Sequence, residues 1–341
     1  MKICDKCFTD AEIRQSINML GSVGVCDCCG QSSYVIDITN PIFYDYVLEF
    51  LKLFECATNI DSNSLTILEL IKQDWNIFSS DNNAFSILQY ILKNNQLGYS
   101  INDKVSYINE VQECAMIWEQ LKNEVKNHKR YFANVDALIA SGYIDKKHAI
   151  TIKKDIKLYR ARVIPEDKIS LNTKEMGCPP PNKATAGRAN PIGIPYLYLC
   201  EKEETTFYEI KSLYLDKVSI GEFKLQRDLQ ILDFSSKLNL FQSFTDSGTN
   251  CDMTDLTREK LLYSRISEDL SKPRSRYDSE VEYVPTQLIC EYCKINGIDG
   301  IKFKSSLDPN GGTNIVLFDP DSAECTNTYI RDVSSVMISY S

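Results

Sequence analysis

Five cysteines near the N-terminus constrain this chain more than any other feature of its sequence. Two residues separate Cys4 from Cys7, and after a further 18 residues Cys26, Cys28 and Cys29 form a second group. Two cysteines at such spacing can bind one metal ion from a single turn, and two such turns complete a closed tetrahedral zinc site. We therefore predict a structural zinc ion bound by Cys4, Cys7, Cys26 and Cys29, with Cys28 as a spare thiol or substitute ligand.

The predicted metal site limits what the N-terminal segment can do. Residues 1–36 bury too little apolar surface to fold alone, so the metal would supply their folding energy. Four thiolates leave no open coordination position, which argues against a catalytic zinc. Gly30 follows the second group, where a tight turn often needs the positive φ that glycine adopts freely. Few basic residues lie nearby, so a scaffold is favoured over nucleic-acid binding, and free reduced thiols are the alternative.

Charge and residue usage narrow the class of protein. The 341-residue chain has a formal net charge of −9, which disfavours nucleic acid as a partner because phosphates must be neutralised by Lys and Arg. Its 13 cysteines are an odd number, and residues 1–5 form no apolar signal segment. Both facts argue against a disulfide framework and favour the cytoplasm. No apolar run is long enough to span a membrane. The two histidines, His128 and His148, leave little for histidine-based catalysis.

The spacing of apolar residues divides the chain into three segments. Residues 1–36 form the cysteine-rich segment, residues 37–150 a helical domain, and residues 151–341 a domain of strands and helices. In the second segment, apolar residues recur at intervals of three and four, as in amphipathic helices. This pattern covers residues 43–51, 65–71, 84–92 and 111–125, and Asp61, Ser64 and Asn82 are predicted helix starts.

The third segment consists of short β-rich runs separated by turns. The predicted strands are Ile156–Arg162, Tyr196–Cys200, Val218–Phe223, Gly300–Phe303 and Asn314–Phe318. The predicted helices are Glu203–Leu213, Leu256–Leu270 and Thr286–Ile295. Cys290 and Cys293 fall inside the last helix without a second pair nearby, so we predict core thiols. The chain is thus predicted to be α+β, with a zinc-knuckle and helical part followed by a mixed β-sheet domain.

Three residues near the start of the third segment could together bind a pyridine dinucleotide. Arg188 lies in a loop rich in glycine, asparagine and proline, Tyr198 on the next strand, and Glu209 on the helix after it. A guanidinium grips phosphate oxygens in pairs, a phenol ring offers a flat face to nicotinamide, and a carboxylate stabilises an oxocarbenium-like state. Taken singly, each has a simpler interpretation: a solvated loop arginine, a core tyrosine and a water-facing glutamate.

The pattern that these residues form resembles the RES domain family, which is named for Arg, Glu and Ser. The matching segments are Leu158-Tyr159-Arg160-Ala161-Arg162, Gly187-Arg188-x-Asn190-Pro191-x-Gly193, Leu197-Tyr198-Leu199, Glu204–Glu209, Tyr283-x-Pro285-Thr286-Gln287, Asp299-Gly300-Ile301-x-Phe303-x-Ser305 and Gly311-Gly312-x-Asn314. Ala189 departs from the family, which has an aromatic residue there. The likeness spans roughly residues 155–320. It implies an ADP-ribosyltransferase-like fold with NAD⁺ as substrate.

The resemblance also implies roles for individual residues. Arg188 would contact the phosphates or the nicotinamide ribose, and Tyr198 would pack against nicotinamide. Glu209 would stabilise the ribosyl cation, and Ser305 would orient the substrate, although the choice between Ser305 and the adjacent Ser306 depends on register alone. Arg160 would be a second phosphate contact, and Asn190 would also bind the substrate.

The function implied by the resemblance is that of a toxin enzyme that cleaves the nicotinamide–ribose bond and depletes cellular NAD⁺. Water or phosphate would be the acceptor. An ADP-ribosyltransferase acting on a protein or nucleic acid is the first alternative, and a non-enzymatic zinc-organised interaction protein is the second. The resemblance also implies an antitoxin or other regulatory protein as a partner. The sequence is compatible with a homo-oligomer. Residues 118–132 resemble the helical region found before some RES and HEPN toxin domains.

Overall fold

The computed structural model describes residues 1–235, 239–247, 251–272 and 280–336, which alternate between helices and short strands. In chain order, the helices are α1 (Ala11–Leu20), α2 (Pro41–Leu51), α3 (Ile67–Asp74), α4 (Asp81–Asn94), α5 (Asn109–Asn127), α6 (Asp136–Ser141), α7 (Glu203–Glu209), α8 (Leu240–Ser247), α9 (Met253–Ser271) and α10 (Val284–Ile295). None of these described helices combines the length and the apolar character needed to span a bilayer.

The strands are short and alternate with the helices along the chain. In chain order, they are β1 (Lys2–Cys4), β2 (Ser22–Val25), β3 (Ser32–Asp37), β4 (Phe54–Cys56), β5 (Leu65–Thr66), β6 (Lys104–Tyr107), β7 (Ile150–Ile152), β8 (Lys157–Val163), β9 (Leu197–Cys200), β10 (Lys217–Leu225), β11 (Leu229–Asp233), β12 (Gly300–Lys304), β13 (Thr313–Leu317) and β14 (Ala323–Asp332).

The chain forms two units. Unit 1 comprises Met1–Met116 and Lys237–Leu261, and unit 2 comprises Ile117–Ser236 and Leu262–Ser341. The α+β class predicted from the sequence is confirmed, with a cysteine cluster near the N-terminus and a large mixed sheet later in the chain. The finer division into residues 1–36, 37–150 and 151–341 stays a prediction.

Unit 1 begins with a small sheet in the order β1-β3-β2, and both of its strand pairs are antiparallel. Cys4 and Cys7 flank a single turn after β1, while Cys26 lies just beyond β2. All three are buried in the same apolar cluster as side chains from α2, such as Phe43 and Phe50. The cysteine-rich segment therefore shares its core with residues that follow it in the chain.

Residues 37–150 contain helices, as predicted, but they also contain strands that were not predicted. A second antiparallel sheet, in the order β4-β6-β5, lies within this range. Its strands have two to four residues each, too few to produce a period-two pattern that could be separated from the flanking helices.

Two helices begin at residues other than those predicted. Thr66, rather than Asp61 or Ser64, caps α3 and forms a reciprocal capping box with Glu69. Asp61 and Ser64 instead bond to each other, with the Ser64 hydroxyl 3.0 Å from Asp61 Oδ1. Ser80, rather than Asn82, caps α4 by accepting from the backbone N–H of residue 83 at 3.2 Å.

Unit 2 is built on an eight-stranded sheet in the order β14-β10-β8-β9-β13-β12-β11-β7. Its strand pairs are antiparallel, except that β11 and β12 are parallel. The five predicted strands are confirmed as β8, β9, β10, β12 and β13. Gly300 at the start of β12 is required by close packing, because a Cβ there would lie 2.2 Å from the Val316 carbonyl oxygen.

Three strands and one helix end in unit 2 differ from the prediction. The strands β7, β11 and β14 were not predicted. The helix predicted over Glu203–Leu213 ends at Glu209, because Lys211 has a φ of 52°, which is incompatible with a continuing helix. Cys290 and Cys293 on α10 are both 0% exposed, so the prediction of core thiols is confirmed.

Candidate active site

A cavity lies where the large sheet opens between β8 and β9. These strands pair at one described position, Tyr159 opposite Cys200. The cavity has a volume of about 380 Å³, within the range of small-molecule sites. Its lining includes the four predicted residues Arg160, Arg188, Tyr198 and Glu209, together with Tyr159, Cys200, Lys211, Tyr283 and Asn314.

Tyr198 anchors the loop that carries Arg188. Its hydroxyl donates to Asn190 Oδ1 at 2.8 Å and accepts from the backbone N–H of Ala189 at 3.0 Å. Gly187 is required at its position, because a Cβ there would lie 2.5 Å from Asn190 Oδ1 and 2.6 Å from the Tyr198 hydroxyl. The Tyr198 ring therefore lines the cavity while its hydroxyl is held by the loop.

Asn190 shapes this loop from within. Its Nδ2 donates to the backbone carbonyls of Thr185, Pro191 and Ile194 at 3.0 to 3.1 Å, and the residue is 4% exposed. Asn190 is not among the residues that line the cavity. The structure therefore places this predicted substrate-binding residue behind the loop, where it positions Arg188 through the backbone.

Helix α10 holds the same loop from the other side. The Thr286 hydroxyl donates to the Arg188 carbonyl at 2.6 Å. The Gln287 amide donates to the carbonyls of Gly187 at 2.9 Å and Asn190 at 3.0 Å. Since Pro285 lies at the first turn of α10, where a missing N–H costs nothing, the start of this helix is well defined. The loop is thus fixed by bonds from both β9 and α10.

Two arginines bring positive charge to the cavity. Arg188 Nη1 donates to the Leu270 carbonyl at 3.2 Å, in the last turn of α9, where helix carbonyls have no partner within the helix. Arg160 is different, since its Nη1 is buried and has no hydrogen-bond partner among the described residues. Burial, followed by the charge of nearby Arg162, lowers the pKa of Arg160. A buried donor without a partner is costly, so Arg160 is suited to an incoming anion.

Glu209 is held by two neutral donors. The Ser305 hydroxyl donates to Glu209 Oε1 at 2.6 Å, and Asn314 Nδ2 donates to the same oxygen at 2.7 Å. The Asn314 Oδ1 atom accepts in turn from the Cys200 thiol at 3.2 Å. Ser305, Asn314 and Cys200 are 6%, 5% and 5% exposed, so water cannot readily replace these bonds.

The Ser305 hydroxyl has its bonding capacity filled by the protein. Besides donating to Glu209, it accepts from the backbone N–H groups of Leu307 and Asp308, both at 3.2 Å. One proton and two lone pairs are all that a hydroxyl has. Ser305 therefore orients Glu209, whereas Ser306 is exposed and donates to the Ser271 carbonyl. Of the two adjacent serines, Ser305 is therefore the one in contact with Glu209.

Burial favours the protonated forms of two β9 side chains that line the cavity, the Tyr198 phenol and the Cys200 thiol. Burial raises the pKa of Tyr198 above its ordinary value. Burial, followed by the negative charges of Glu209 and Asp308, raises the pKa of Cys200. Both side chains are therefore hydrogen-bond donors at neutral pH, as their acceptors require.

The structure brings most of the predicted residues together. Arg160, Arg188, Tyr198 and Glu209 line the cavity, and Ser305 is hydrogen-bonded to Glu209. Asn314 was missed as a functional residue, although it closes the Gly-Gly-x-Asn segment that carries part of the family likeness. Cys200 and Tyr159 were also missed, because only the register of β8 against β9 shows that they border the cavity.

The N-terminal cysteines form a separate site in unit 1. The ligand atoms of Cys4, Cys7, Cys26 and Cys29 all lie within 4.8 Å of one another. The Cys28 sulfur is not part of this group and lies 3.6 Å from Asn83 Oδ1. Gly30 has a φ of 71°, which confirms the positive value expected for the turn.

The sulfur spacing fits a tetrahedral zinc ion. With Zn–S bonds of about 2.3 Å, the sulfurs of a regular tetrahedron lie about 3.8 Å apart. The observed separations are 3.8 Å for Cys4–Cys7, 3.5 Å for Cys4–Cys29 and 3.6 Å for Cys7–Cys26. These three separations match a tetrahedral zinc site, and the remaining three are within 4.8 Å, so Cys29 rather than Cys28 has the position of the fourth ligand.

Comparison with known proteins assigns the family. Fold and cavity define a mixed α/β domain with an arginine-, tyrosine- and glutamate-lined site. The chain belongs to the RES domain family, whose model matches residues 157–335. Among solved structures, it is similar to a chain of the M. tuberculosis MbcT–MbcA toxin–antitoxin complex, with 12% identity, a TM-score of 0.31, and coverage of 56% of this chain and 91% of that one. No curated protein matches the sequence.

Proposed function

We propose that this protein is a RES-type toxin enzyme that cleaves the nicotinamide–ribose bond of NAD⁺. The observation that carries the proposal is the convergence of Arg160, Arg188, Tyr198 and Glu209 on one cavity. Membership of the RES family supports the same substrate, because many members degrade NAD⁺. The site has the three groups that the chemistry needs: cations for the diphosphate, an aromatic face for nicotinamide and a carboxylate for the ribose.

The reaction breaks the bond between ribose C1′ and the nicotinamide nitrogen. The bonding electron pair leaves with nicotinamide, which thereby becomes neutral, so no general acid is needed at the leaving group. The ribosyl cation that develops is stabilised by a nearby carboxylate, as in glycoside cleavage. An oxygen of the acceptor then forms the new bond to C1′, and its proton passes to solvent. This chemistry requires no histidine, which agrees with the lack of histidines at the cavity.

Each residue at the cavity has a role in this proposal. Arg160 and Arg188 bind the diphosphate, and the unpartnered Nη1 of Arg160 gains its missing acceptor. The ring of Tyr198 packs against nicotinamide, since its hydroxyl is engaged by the loop. Glu209 stabilises the ribosyl cation, with Ser305 holding the carboxylate in place.

The test is the release of free nicotinamide from NAD⁺ by the purified chain. Glu209→Gln removes the negative charge with little change in shape, and we expect activity to fall at least about 100-fold, a typical loss for a group that stabilises transition-state charge. Glu204→Gln on the same helix is the matched control, because Glu204 is exposed and does not line the cavity. Equal turnover by Glu209→Gln and wild type would remove the proposed role of Glu209.

The products distinguish the acceptors. ADP-ribose indicates water, and a phosphorylated ADP-ribose indicates phosphate. Nicotinamide released only when protein or nucleic acid is added, with label transferred to it, indicates an ADP-ribosyltransferase. No release under any of these conditions favours a zinc-organised interaction protein without enzymatic activity.

We further propose that the four N-terminal thiols bind one structural zinc ion, since their spacing fits a tetrahedral site. None of the 13 cysteines, all of which lie in the described part of the chain, forms a disulfide, which suits a reducing compartment. We place the protein in the cytoplasm, where NAD⁺ is available. An antitoxin or other regulatory protein is the proposed partner, by analogy with toxin–antitoxin systems of the family. Co-purification of such a protein with the native chain would test this.

A further inference from the structure

We propose that Asn314 and Cys200 are positioning residues that determine which oxygen of the Glu209 carboxylate meets the substrate. The thiol fixes the orientation of the Asn314 amide, and the amide in turn fixes the carboxylate. The inference rests on the proposed function, in which Glu209 stabilises the ribosyl cation. It gives roles to a thiol and an amide to which the family likeness assigned none.

The partners of the Asn314 amide fix its orientation. An asparagine side chain can present either its oxygen or its NH₂ group to a neighbour, and a carboxylate can only accept. Asn314 presents Nδ2 to Glu209 at 2.7 Å and Oδ1 to Cys200 at 3.2 Å. Rotating the amide by half a turn would place its oxygen against the carboxylate, losing that bond, and would leave only a weak N–H···S contact with the thiol.

The Cys200 thiol is protonated and can therefore donate to this amide. A thiol is a donor only while it is protonated, and Cys200 lies in surroundings that keep it so. Burial and the negative charges of Glu209 and Asp308 raise the pKa of Cys200. The thiol therefore donates to Asn314 Oδ1 at any physiological pH and selects the orientation that holds Glu209.

The two oxygens of the Glu209 carboxylate differ in their hydrogen bonds. Asn314 and Ser305 donate to the same atom, Glu209 Oε1. The other oxygen, Oε2, accepts no hydrogen bond from the described residues. The carboxylate is thus fixed on one side and available on the other. An available oxygen on a fixed carboxylate suits a sugar whose C1′ becomes positive, because the charge is in place before the reaction begins.

The charged and titratable groups around Glu209 come from several elements. Asp308 acts on Cys200 but does not line the cavity. The groups that line the cavity with Glu209 are Tyr159 and Arg160 on β8, Arg188 in the loop, Tyr198 and Cys200 on β9, Lys211 after α7, and Tyr283 before α10. The substitutions used below leave all of these charges unchanged. Changes in turnover can therefore be assigned to the orientation of Asn314 and Glu209.

The experiment compares four variants in NAD⁺ turnover. Asn314→Ala removes a bond to a charged group, worth about 1.5–3 kcal/mol, so we expect kcat to fall about 10- to 150-fold. Cys200→Ala removes a weaker bond and should lower kcat about 2- to 10-fold. In both, KM should stay within about threefold, since the residues do not hold the diphosphate. Cys200→Ser keeps a donor and should recover most of the loss. Cys293→Ala, which removes a buried thiol away from the cavity, is the matched control.

A spectroscopic measurement tests the geometry without relying on turnover. The side-chain NH₂ group of Asn314, assigned by its loss in Asn314→Ala, should give a ¹⁵N-resolved signal that exchanges slowly with solvent. Glu209→Gln and Cys200→Ala should both shift it, Cys200→Ser should shift it less than Cys200→Ala because a donor is kept, and Cys293→Ala should leave it unchanged. A signal that is insensitive to Cys200→Ala would overturn the inference, as would equal kcat values for Cys200→Ala and wild type. If wild type releases no nicotinamide, the proposed function fails while the spectrum still decides the inference.

Discussion

Replacing Tyr198 by phenylalanine removes one oxygen atom and keeps the ring that lines the cavity. The lost hydroxyl makes two hydrogen bonds, to Asn190 Oδ1 at 2.8 Å and from the Ala189 N–H at 3.0 Å. Asn190 and Ala189 are 4% and 0% exposed, so water cannot take the place of the hydroxyl. Each buried group left without a partner costs about 1–3 kcal/mol, and the two together cost roughly 2–6 kcal/mol.

This cost falls on the loop that presents Arg188. For a domain of this size, 1 kcal/mol lowers Tm by about 2–4 °C, so Tyr198→Phe should lose at least about 4 °C in a thermal denaturation experiment. We also expect kcat/KM for NAD⁺ to fall at least about tenfold, since a displaced guanidinium binds the diphosphate less well. Tyr208→Phe is the control, because Tyr208 is 39% exposed on α7. A Tyr198→Phe enzyme with the wild-type Tm and kcat/KM would refute the assignment of the hydroxyl as a loop anchor.

Three further predictions concern metal, charge and pH. Cys29→Ser should abolish binding of about one zinc per chain in elemental analysis while Cys28→Ser retains it, and the opposite result would exchange the two as ligands. Arg160→Met should leave Tm unchanged or higher, because a buried unpartnered donor is removed, but raise KM for NAD⁺ at least about tenfold. Unchanged KM would exclude Arg160 from substrate binding. Hydrogen bonds from the Thr66 backbone and hydroxyl, then from Lys104, lower the pKa of Glu69 to about 2. This stabilisation is present above the ordinary value near 4.5 and disappears as the pH falls towards 2, so the Tm difference between wild type and Glu69→Gln should shrink over that interval. A constant difference would exclude ionised Glu69 as its cause.

Local patterns were enough to predict the strands at the centre of the large sheet. The run predicted over Asn314–Phe318 contains Ile315, Val316 and Phe318, residue types that favour strands, and all of it except Phe318 lies in β13. The run predicted over Ile156–Arg162 is confirmed as part of β8. By contrast, β14 (Ala323–Asp332) is a mostly polar edge strand, so its sequence lacks the apolar alternation that marks a half-buried strand. Its position depends on pairing with β10, a contact distant in sequence.

The residues of the site were predictable to different degrees for physical reasons. Arg188, Tyr198 and Glu209 lie within 22 residues of chain, so one loop, one strand and one helix suffice to bring them close. The partners that fix them lie about one hundred residues later, since Asn314 and Ser305 hold Glu209, and Gln287 holds the loop. Spacing alone does not reveal such contacts, because they depend on how β9 and β13 pair in the sheet.

The ends of helices also escaped prediction where local bonds compete. Asp61 and Ser64 have the side chains of good N-caps, but they bond to each other, and Thr66 takes that role two residues later. The end of α7 is set by the φ of 52° at Lys211, a backbone conformation that no residue preference would indicate for lysine. As a result, Glu209 lies at the end of the helix and not in its middle. At this end its carboxylate reaches the cavity.

The most direct test of the account is a crystal structure of the Glu209→Gln variant with intact NAD⁺. The account predicts the nicotinamide ring on Tyr198, the diphosphate on Arg160 and Arg188, and ribose C1′ beside residue 209. A dinucleotide bound elsewhere on the protein, or seated in the cavity with its nicotinamide end pointing away from residue 209, would contradict it.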